Sequence, residues 1–295
     1  MFRVTLDVFF GRANPSWIVT GLPAQEALRA IALNRGMISA VKPVYCTGYR
    51  GTQIELLSDE LSSLYGLPDH FTIASAGAAD LSAGIALTQQ LIAAATDRLG
   101  EHYDDLARTH IATELAAVRA PPSIALLSAD ASASEPELAA MEPPVRGCTV
   151  ESGPYNPAFW SGPRQRTNNC YAYAANKPTG HWAQIPGAGS GHPVTRYTPQ
   201  DVAAATKRDG GHDVDVCFDQ SESPRWLVAL VICPGIDFHW YRHSKEGFWG
   251  HKPAQYEVTN LDCSGKLLID PKHCDRGRYT QFYGYMILPK SIRLL

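Results

Sequence analysis

Cys170 is the residue of this sequence best placed for nucleophilic chemistry. It stands in the stretch RTNNCYAYAANK, residues 166–177, directly after two amides. The pattern predicts a short helix around residues 170–176 that begins at the cysteine, with Asn168 or Asn169 as its N-cap. Free N–H groups at a helix start favour a thiolate and can also stabilise an oxyanion. The ordinary alternative is a buried core thiol, because free cysteine is among the most buried residue types.

A hairpin predicted over residues 237–251, DFHWYRHSKEGFWGH, carries two histidines. With a turn centred on Lys245, His239 and His251 stand opposite each other on neighbouring strands. With a loop of residues 245–247, whose glycine takes the left-handed position, the pairing slides by two and both rings still share a face. A two-residue turn at 246–247 would place them on opposite faces. On one face, the rings can act as general base and orienting group.

The order of these groups resembles that of papain-like cysteine hydrolases, in which a cysteine opens a helix and a histidine-bearing antiparallel sheet follows. The closer resemblance is to the NlpC-type cell-wall peptidases and their CHAP amidase relatives, where a second polar residue, often His, lies on the strand after the base. Here His251 follows His239 by 12 residues. The resemblance covers residues 150–290 and implies Cys170 as nucleophile, His239 as general base and His251 as orienting residue.

The same resemblance brings further candidates to the site. Asn260 and Asp262, in VTNLD after the hairpin, are alternative third members, since papain-like triads commonly use Asn or Asp. Gln165, five residues before the nucleophile, is a candidate oxyanion donor, and Asn169 is another. The sequence departs from the NlpC pattern on both sides of the nucleophile, where Asn169 replaces the usual Asp and Tyr171 replaces a small residue.

The chemistry expected of this set is hydrolysis of an amide or peptide bond through a thioester. A transferase outcome uses the same groups, as in an acyltransferase or a transglutaminase-like enzyme, with an amine replacing water. The rival expectation is a non-catalytic binding or structural protein in which Cys170 is buried. The hydrolase, the transferase and the non-catalytic protein would all contain these same residues. They differ in whether water, an amine or no substrate reacts at the site.

The elements that must position these residues predict an α+β fold in two parts. An N-terminal α+β domain is expected over residues 1–120, a linker rich in Ala, Ser and Pro over 121–147, and the papain-like domain over 148–295. Periodicity and capping residues predict a strand at 2–9, one or two strands around the glycines of YCTGYRGTQIELL, and helices at 22–35, 80–99, 103–119 and from 198 onward. Five strands are expected in the second part: RWLVALVIC, DFHWYRH, GFWGHKP, YEVTNLD and YGYMILP.

Composition excludes several classes of protein. The formal net charge of -3 over 295 residues gives no general attraction to nucleic acid or anionic membrane. No apolar run approaches the roughly 20 residues that span a bilayer. No secretory leader is apparent, so a cytoplasmic protein is expected, with export by another route left open. The partners expected are a peptide or amide substrate and, through the N-terminal domain, another protein.

The seven cysteines are odd in number and widely scattered. That pattern predicts mostly reduced thiols rather than a disulfide framework, with Cys217, Cys233, Cys263 and Cys274 as core or loop thiols. No pair has the tight spacing of a structural zinc site, so neither a metal nor another cofactor is expected. The arginines of GRANP and GYRG, Arg12 and Arg50, are expected to be solvated.

Overall fold

The computed structural model describes residues 1–40, 48–95, 105–118, 147–181 and 184–295. Helices and antiparallel sheets are both present, so the α+β class is confirmed. The chain forms two compact units, residues 1–9 with 14–127 and residues 10–13 with 128–295. Residues 10–13 therefore belong to the second unit and not, as predicted, to the first. The predicted linker, apart from Gly147, lies outside the described residues.

The first unit is built on a four-stranded antiparallel sheet of order β2-β1-β3-β4. Along β1 the apolar side chains of Phe2, Val4 and Leu6 are completely buried, as strand alternation requires when one face is covered. The predicted strand at 2–9 is therefore confirmed for its first six residues. The sheet comprises β1 Phe2–Asp7, β2 Ser16–Val19, β3 Gly51–Leu56 and β4 His70–Ile73.

One helix of the first unit has the N-terminal cap that the sequence predicts. The Asp80 carboxylate accepts the Ala83 N–H at 3.0 Å and caps one helix, as its position in the sequence predicts. Two strands and one helix of this unit were not predicted, since segments of four to seven residues carry too little periodicity. The helices are α1 Gly21–Leu33, α2 Asp59–Tyr65, α3 Leu81–Ala93 and α4 Asp105–Ala117.

A buried ion pair links the end of β1 to the residue before β3. The guanidinium of Arg50 donates to Asp7 through two nitrogens, with Nε at 3.0 Å from Oδ1, and also donates to the carbonyl of Phe9 at 3.0 Å. The side chains are 1% and 0% exposed. The expectation of a solvated Arg50 is therefore wrong, because pairing of β1 with β3 brings a carboxylate within reach.

The second unit contains a five-stranded antiparallel sheet of order β5-β9-β6-β7-β8. The predicted strand YEVTNLD is wrong, because that segment makes only isolated bridges such as His251 with Thr259. None of the helices in the described ranges is both long and apolar enough to cross a membrane. The elements are α5 Pro163–Thr167, α6 Cys170–Ala174, α7 Pro199–Asp209, β5 His212–Asp213, β6 Arg225–Cys233, β7 Asp237–His243, β8 Trp249–His251 and β9 Gln281–Pro289.

The core of the second unit forms where α6 and α7 pack on one face of this sheet. The Tyr171 ring stacks on Trp240 of β7, with centroids 5.6 Å apart. All seven residues of β7 are buried, so both faces of that strand are covered. The apolar side chains that meet in this core include Cys170, Tyr171, Val202, Leu230, Phe238, Trp240 and Met286.

The state of the cysteines differs from the expectation of reduced thiols. Cys148 and Cys217 form a disulfide, with Cα atoms 5.1 Å apart and a sequence separation of 69 residues. Cys263 is also disulfide-bonded, so the assignment of Cys217 and Cys263 as thiols is wrong. Bridges across such separations depend on tertiary packing and leave no spacing signal in the sequence. The free thiols of the described residues are Cys170, Cys233 and Cys274.

Candidate active site

Helix α6 begins at Cys170, as predicted, and Asn169 is its N-cap. The Asn169 Oδ1 accepts the N–H groups of Tyr171 at 3.0 Å and Ala172 at 3.2 Å. Asn168, the alternative cap, instead donates to the carbonyl of Arg164 at 3.0 Å. The capped turn fixes the cysteine at the first position of a short helix.

The side chain of Asn169 is fully engaged in holding this turn. Its Nδ2 donates to the carbonyls of Gly11 at 2.7 Å and Gln184 at 2.8 Å, while Oδ1 accepts two N–H groups. An amide nitrogen has two N–H donors, and both are used here. The expected role of Asn169 as an oxyanion donor is therefore wrong for this side chain, which works as a cap and an anchor.

The hairpin that carries the histidines uses the three-residue loop 245–247. Tyr241 pairs with His251, and the Gly247 N–H donates to the carbonyl of Ser244 at 3.1 Å. Gly247 takes the left-handed conformation, with φ of 87°. Of the three turns that the sequence allows for this hairpin, this is the one that shifts the strand pairing by two residues. Because strand side chains alternate, His239 then shares a face with His251.

His239 and His251 are hydrogen-bonded, and the donor of each bond can be assigned. The His239 Nε2 lies 2.8 Å from the His251 Nδ1, and the His251 Nε2 lies 3.0 Å from the carbonyl of Leu261. A carbonyl only accepts, so the His251 Nε2 carries a proton. Burial lowers the pKa of His251 to about 4, so its ring is neutral at pH 7 and its Nδ1 accepts. His239 therefore donates from Nε2, and Nδ1 is its basic nitrogen.

The alternative third members lie beside this pair without joining it. The Asp262 carboxylate accepts the N–H groups of Ser264 at 2.9 Å, Lys266 at 2.9 Å and Asp275 at 3.1 Å. Its charge acts on His251 from a distance and raises the pKa of that ring, against the larger effect of burial. The carbonyl of Asn260 accepts the N–H of Leu268 at 2.8 Å. Of the three candidates for the third member of the triad, His251 is thus the one bonded to His239.

The sulfur of Cys170 meets β7 at its backbone. The Ser244 N–H donates to the carbonyl of Phe248 across the hairpin, and N–H groups of alternate residues point to the same side of a strand. The Trp240 N–H therefore points to the side of β7 that carries β8, whose pairing stops at Tyr241. The Trp240 N–H lowers the pKa of the Cys170 thiol, so the sulfur lies on this side of the strand. Cys170 thus occupies the strand edge beyond the last pair of the hairpin.

This edge position differs from the predicted approach. The role of His239 as the base of Cys170 predicts that the face carrying the histidines looks toward the sulfur. The core around Cys170 contains Phe238 and Trp240 instead, and alternation places His239 on the other face. A group at the open edge of a strand lies beside both faces. His239 is the residue before Trp240 on β7, and its ring points to the face opposite that of Trp240.

Burial controls the ionisation of Cys170, which is 0% exposed. Desolvation raises the pKa of the thiol well above its usual range, and the charge of Asp237 raises it further. The Trp240 N–H, the Lys252 ammonium and the cysteine's own N–H lower it. The thiol is therefore neutral at rest, contrary to the lowered pKa that a helix start alone would give.

Residues 10–13 cover the site within the second unit. The buried Asp237 carboxylate accepts the N–H groups of Phe10 at 2.6 Å and Arg12 at 3.0 Å. The Phe10 ring lies 5.1 Å from the His239 ring, centroid to centroid. Gly11 lies against the backbone of Phe238, where a Cβ atom would clash. Arg12 is buried as well, and its guanidinium donates to the carbonyl of Ile236 at 3.2 Å. The prediction that Arg12 is solvated is therefore wrong.

Two other buried groups at the site were not predicted. Lys252 is completely buried and donates to the carbonyls of Gln165 at 2.6 Å and Ala254 at 2.7 Å. Gln165, predicted as an oxyanion donor, thus reaches the site through its carbonyl. Tyr279 donates to Asp237 at 2.7 Å.

The described residues hold no cluster of three or more His, Cys, Asp and Glu side chains fit for a metal.

Acid should destabilise the protein through His251. Its pKa in the folded state, about 4, lies below the ordinary 6.5, so the unfolded chain binds more protons between these values. Stability is therefore expected to fall as the pH drops from about 6.5 to about 4, by about 3 kcal/mol in total. Melting temperatures of the wild type and of His251→Gln across this range measure the effect.

The control for this prediction is His273→Gln. His273 has 73% of its side chain exposed and bonds to Asp270 at 2.7 Å, so its removal tests the loss of a surface histidine. The pH dependence should weaken in His251→Gln and persist in His273→Gln. An equal slope in all three proteins would contradict the assignment of a buried neutral His251.

Comparison with curated proteins shows a partial similarity. The chain is 40% identical over 143 residues to the insoluble matrix shell protein 1 of Ruditapes philippinarum, and the aligned region makes up 48% of the chain and 92% of that protein. No family model matches the chain. No solved structure matches it either.

Proposed function

The chain belongs to the family of the insoluble matrix shell protein 1, and within that family we propose that it is a thiol-dependent amide or peptide hydrolase. Cys170 would be the nucleophile, His239 the general base and His251 the orienting residue. The name of the relative describes a material and no reaction, so the proposal is carried by geometry. Its main support is the chain of hydrogen bonds from His239 through His251 to the Leu261 carbonyl.

This chain of bonds supports a base role because it fixes one tautomer. With Nε2 of His239 protonated and bonded to His251, a proton from a thiol goes to Nδ1. The imidazolium formed would keep donating to the neutral His251, whose own N–H is held by a carbonyl that cannot move a proton. A buried orienter of this kind preserves the angle of the base through the reaction.

The reaction would proceed in two steps. As the Cys170 sulfur attacks the substrate carbonyl carbon, its proton passes to His239 and then to the departing amine, which leaves a thioester. His239 next takes a proton from water, whose oxygen attacks the thioester carbon. The carbon–sulfur bond then breaks, and His239 returns the proton to the sulfur, which releases the acid and restores the thiol. An amine in place of water would give the transferase outcome with the same residues.

In the resting protein the Cys170 thiol is protonated, so its proton must leave while the sulfur attacks the substrate. Because burial raises the pKa of Cys170, a preformed thiolate is not the reactant, and the base must act as the sulfur approaches its target. Cys170 and His239 are 0% and 1% exposed. We therefore propose that substrate enters after residues 10–13 leave Asp237. The resemblance to papain-like and NlpC-type enzymes supports the same roles for these residues.

A second candidate function is that of a structural component of an extracellular matrix. The observation in its favour is the Cys148–Cys217 disulfide, since such bonds persist mainly in oxidising compartments. Together with the name of the relative, it favours an extracytoplasmic location over the cytoplasmic one expected from the sequence. In a matrix component Cys170 is a core thiol without a catalytic role. The alkylation experiment described next separates the two candidate functions.

The test compares the alkylation of two buried thiols by iodoacetamide. Cys170 is 0% exposed and Cys233 is 9% exposed, so accessibility alone predicts that Cys233 reacts first. If His239 activates Cys170, we expect Cys170 to react faster at pH 7, as read by mass spectrometry of the labelled peptides. His239→Ala should reverse that order. Preferential labelling of Cys233 in the wild type would favour the matrix component.

A further inference from the structure

Residues 10–13, Phe-Gly-Arg-Ala, form a segment, here called the strap, that the rest of the second unit holds as it would hold a bound peptide. The chain on either side of the strap belongs to the first unit. The N–H groups of the first three strap residues converge on the Asp237 carboxylate, at 2.6, 3.2 and 3.0 Å. The Gly11 carbonyl accepts a hydrogen bond from the Asn169 Nδ2 at 2.7 Å. Both donors and an acceptor of the strap backbone are therefore bound.

The first two strap positions are fitted to an aromatic residue and a glycine. The Phe10 ring stacks on Tyr279, with centroids 5.4 Å apart, and its centroid lies 5.1 Å from that of the His239 ring. At Gly11, an added Cβ atom would lie 2.4 Å from the carbonyl oxygen of Phe238. That oxygen belongs to a strand paired with β6, so it cannot move aside without disturbing the sheet. Only glycine fits the second position.

The third strap position is fitted to a cation. The Arg12 guanidinium donates to the carbonyl of Ile236 at 3.2 Å and lies 4.9 Å from the centroid of the Tyr197 ring. A guanidinium over an aromatic face is attracted by the negative charge of the ring face. The side chain is 5% exposed, so these contacts are made largely without water. The second unit thus recognises an aromatic residue, a glycine and an arginine in consecutive positions.

The strap lies beside the elements that carry the proposed nucleophile and base. Asn169, which holds the Gly11 carbonyl, directly precedes Cys170 at the start of α6. Asp237, which holds the strap N–H groups, lies two residues before His239 on β7. A peptide in this place therefore spans from the start of α6 to the start of β7. The substrate of a reaction between Cys170 and His239 must lie beside the same two elements.

We propose that the residues around the strap form a peptide-binding site, which recognises an aromatic residue, a glycine and an arginine in a bend and which the strap occupies as an inhibitor. An incoming peptide would take over the hydrogen bonds to Asp237 and Asn169. The inference rests on the proposed function only in calling this peptide the substrate, because binding is measurable without turnover. The residues of this site are Asn169, Tyr197, Asp237, Phe238, His239 and Tyr279.

The experiment measures binding of the fluorescein-labelled peptide Phe-Gly-Arg-Ala, amidated at its C-terminus, by fluorescence anisotropy. In Gly11→Val the added side chain would meet the Phe238 carbonyl, so the strap cannot occupy the site and the site becomes free. We expect saturable binding to Gly11→Val. The wild type should bind about tenfold more weakly or less, because a strap tethered in the same chain competes at an effective concentration of about 1 mM.

Two altered peptides test whether the free peptide is held as the strap is. Phe-Val-Arg-Ala should bind Gly11→Val about tenfold more weakly or less, since its valine meets the same carbonyl oxygen. Phe-Gly-Met-Ala lacks the guanidinium and should bind about threefold more weakly, the order expected for the loss of a cation–π contact. Equal binding of the three peptides would overturn the proposal.

The matched control protein is Gly189→Val. A Cβ atom at Gly189 would lie 2.2 Å from the carbonyl oxygen of Arg293, so this variant carries a similar clash in the second unit but outside the strap. It should bind the peptide no better than the wild type, and binding equal to that of Gly11→Val would overturn the proposal. If Gly11→Val does not fold, Arg12→Ala decides, because it weakens the strap without adding atoms and should bind the peptide more tightly than the wild type.

The outcomes separate this inference from the hydrolase proposal. If Gly11→Val binds the peptide while iodoacetamide labels Cys170 no faster than Cys233 in the wild type, the hydrolase proposal fails and the peptide-binding site stands. If Cys170 is activated as expected but neither Gly11→Val nor Arg12→Ala binds the peptide better than the wild type, this inference is overturned and the hydrolase proposal stands.

Discussion

Replacing Cys170 with alanine is expected to abolish amide hydrolysis while the fold persists. Loss of the attacking atom should reduce turnover by about 10³-fold or more, since the remaining groups cannot form the thioester. The side chain is completely buried in the core, so its truncation should also cost on the order of 1 kcal/mol of stability. Turnover of a fluorogenic peptidyl-amide library and the melting temperature measure the two effects separately.

The matched control for this variant is Cys233→Ala. Cys233 is the other buried free cysteine of the described residues and lies at the end of β6. It should show a stability loss of similar order and full turnover. Equal turnover in the two alanine variants would remove Cys170 from the chemistry, and the protein would then be better described as a matrix component with a core thiol.

Breaking the buried Asp7–Arg50 pair is expected to cost the most stability of any substitution considered. In Arg50→Met the Asp7 carboxylate, 0% exposed, would lose its guanidinium partner while keeping the amide donors of Asn14 at 3.3 Å and Gln53 at 3.2 Å. Removing one partner of a buried ion pair typically costs about 3–5 kcal/mol, because the remaining charge is left in a medium of low polarity. Urea unfolding of the first unit measures the loss.

The control is an exposed pair in the same sheet. Arg3 of β1 and Glu55 of β3 are cross-strand partners, with side chains 44% and 34% exposed. Arg3→Met should cost about 1 kcal/mol or less, since water and salt already screen the pair. Equal losses in Arg3→Met and Arg50→Met would show that the burial of Arg50 contributes nothing beyond an ordinary surface contact.

Local rules determined much of the candidate site from the sequence alone. The helix start at Cys170 and the cap at Asn169 follow from residue types within three positions of each other. The shared face of His239 and His251 follows from strand alternation once the loop 245–247 is chosen, and Gly247 makes that loop accessible. Both predictions concern residues that are neighbours along the chain or across one hairpin. Such geometry depends on backbone preferences that the residues themselves carry.

Tertiary structure decided the features that depend on distant partners. Asp237 accepts the N–H of Phe10 across 227 residues, and Arg50 meets Asp7 across 43. Cys148 bonds to Cys217 across 69, and Lys252 bonds to the carbonyl of Gln165 across 87. Single-residue patterns cannot forecast these contacts, because each partner looks like an ordinary charged or small residue in its own segment. Burial then changes their chemistry.

The ionisation of the site shows this division most clearly. The sequence alone predicts a lowered pKa for Cys170, because the residue stands at a helix start, where free N–H groups favour the thiolate. In the folded chain the thiol is completely desolvated, and its pKa is raised. Desolvation is set by every atom packed around the sulfur, and the core that holds Cys170 draws its side chains from α7, β6, β7 and β9. The sequence by itself determined the helix start at Cys170 and the shared face of His239 and His251. Only the tertiary structure decided which distant groups join them and how burial sets their ionisation, because desolvation depends on atoms far apart along the chain.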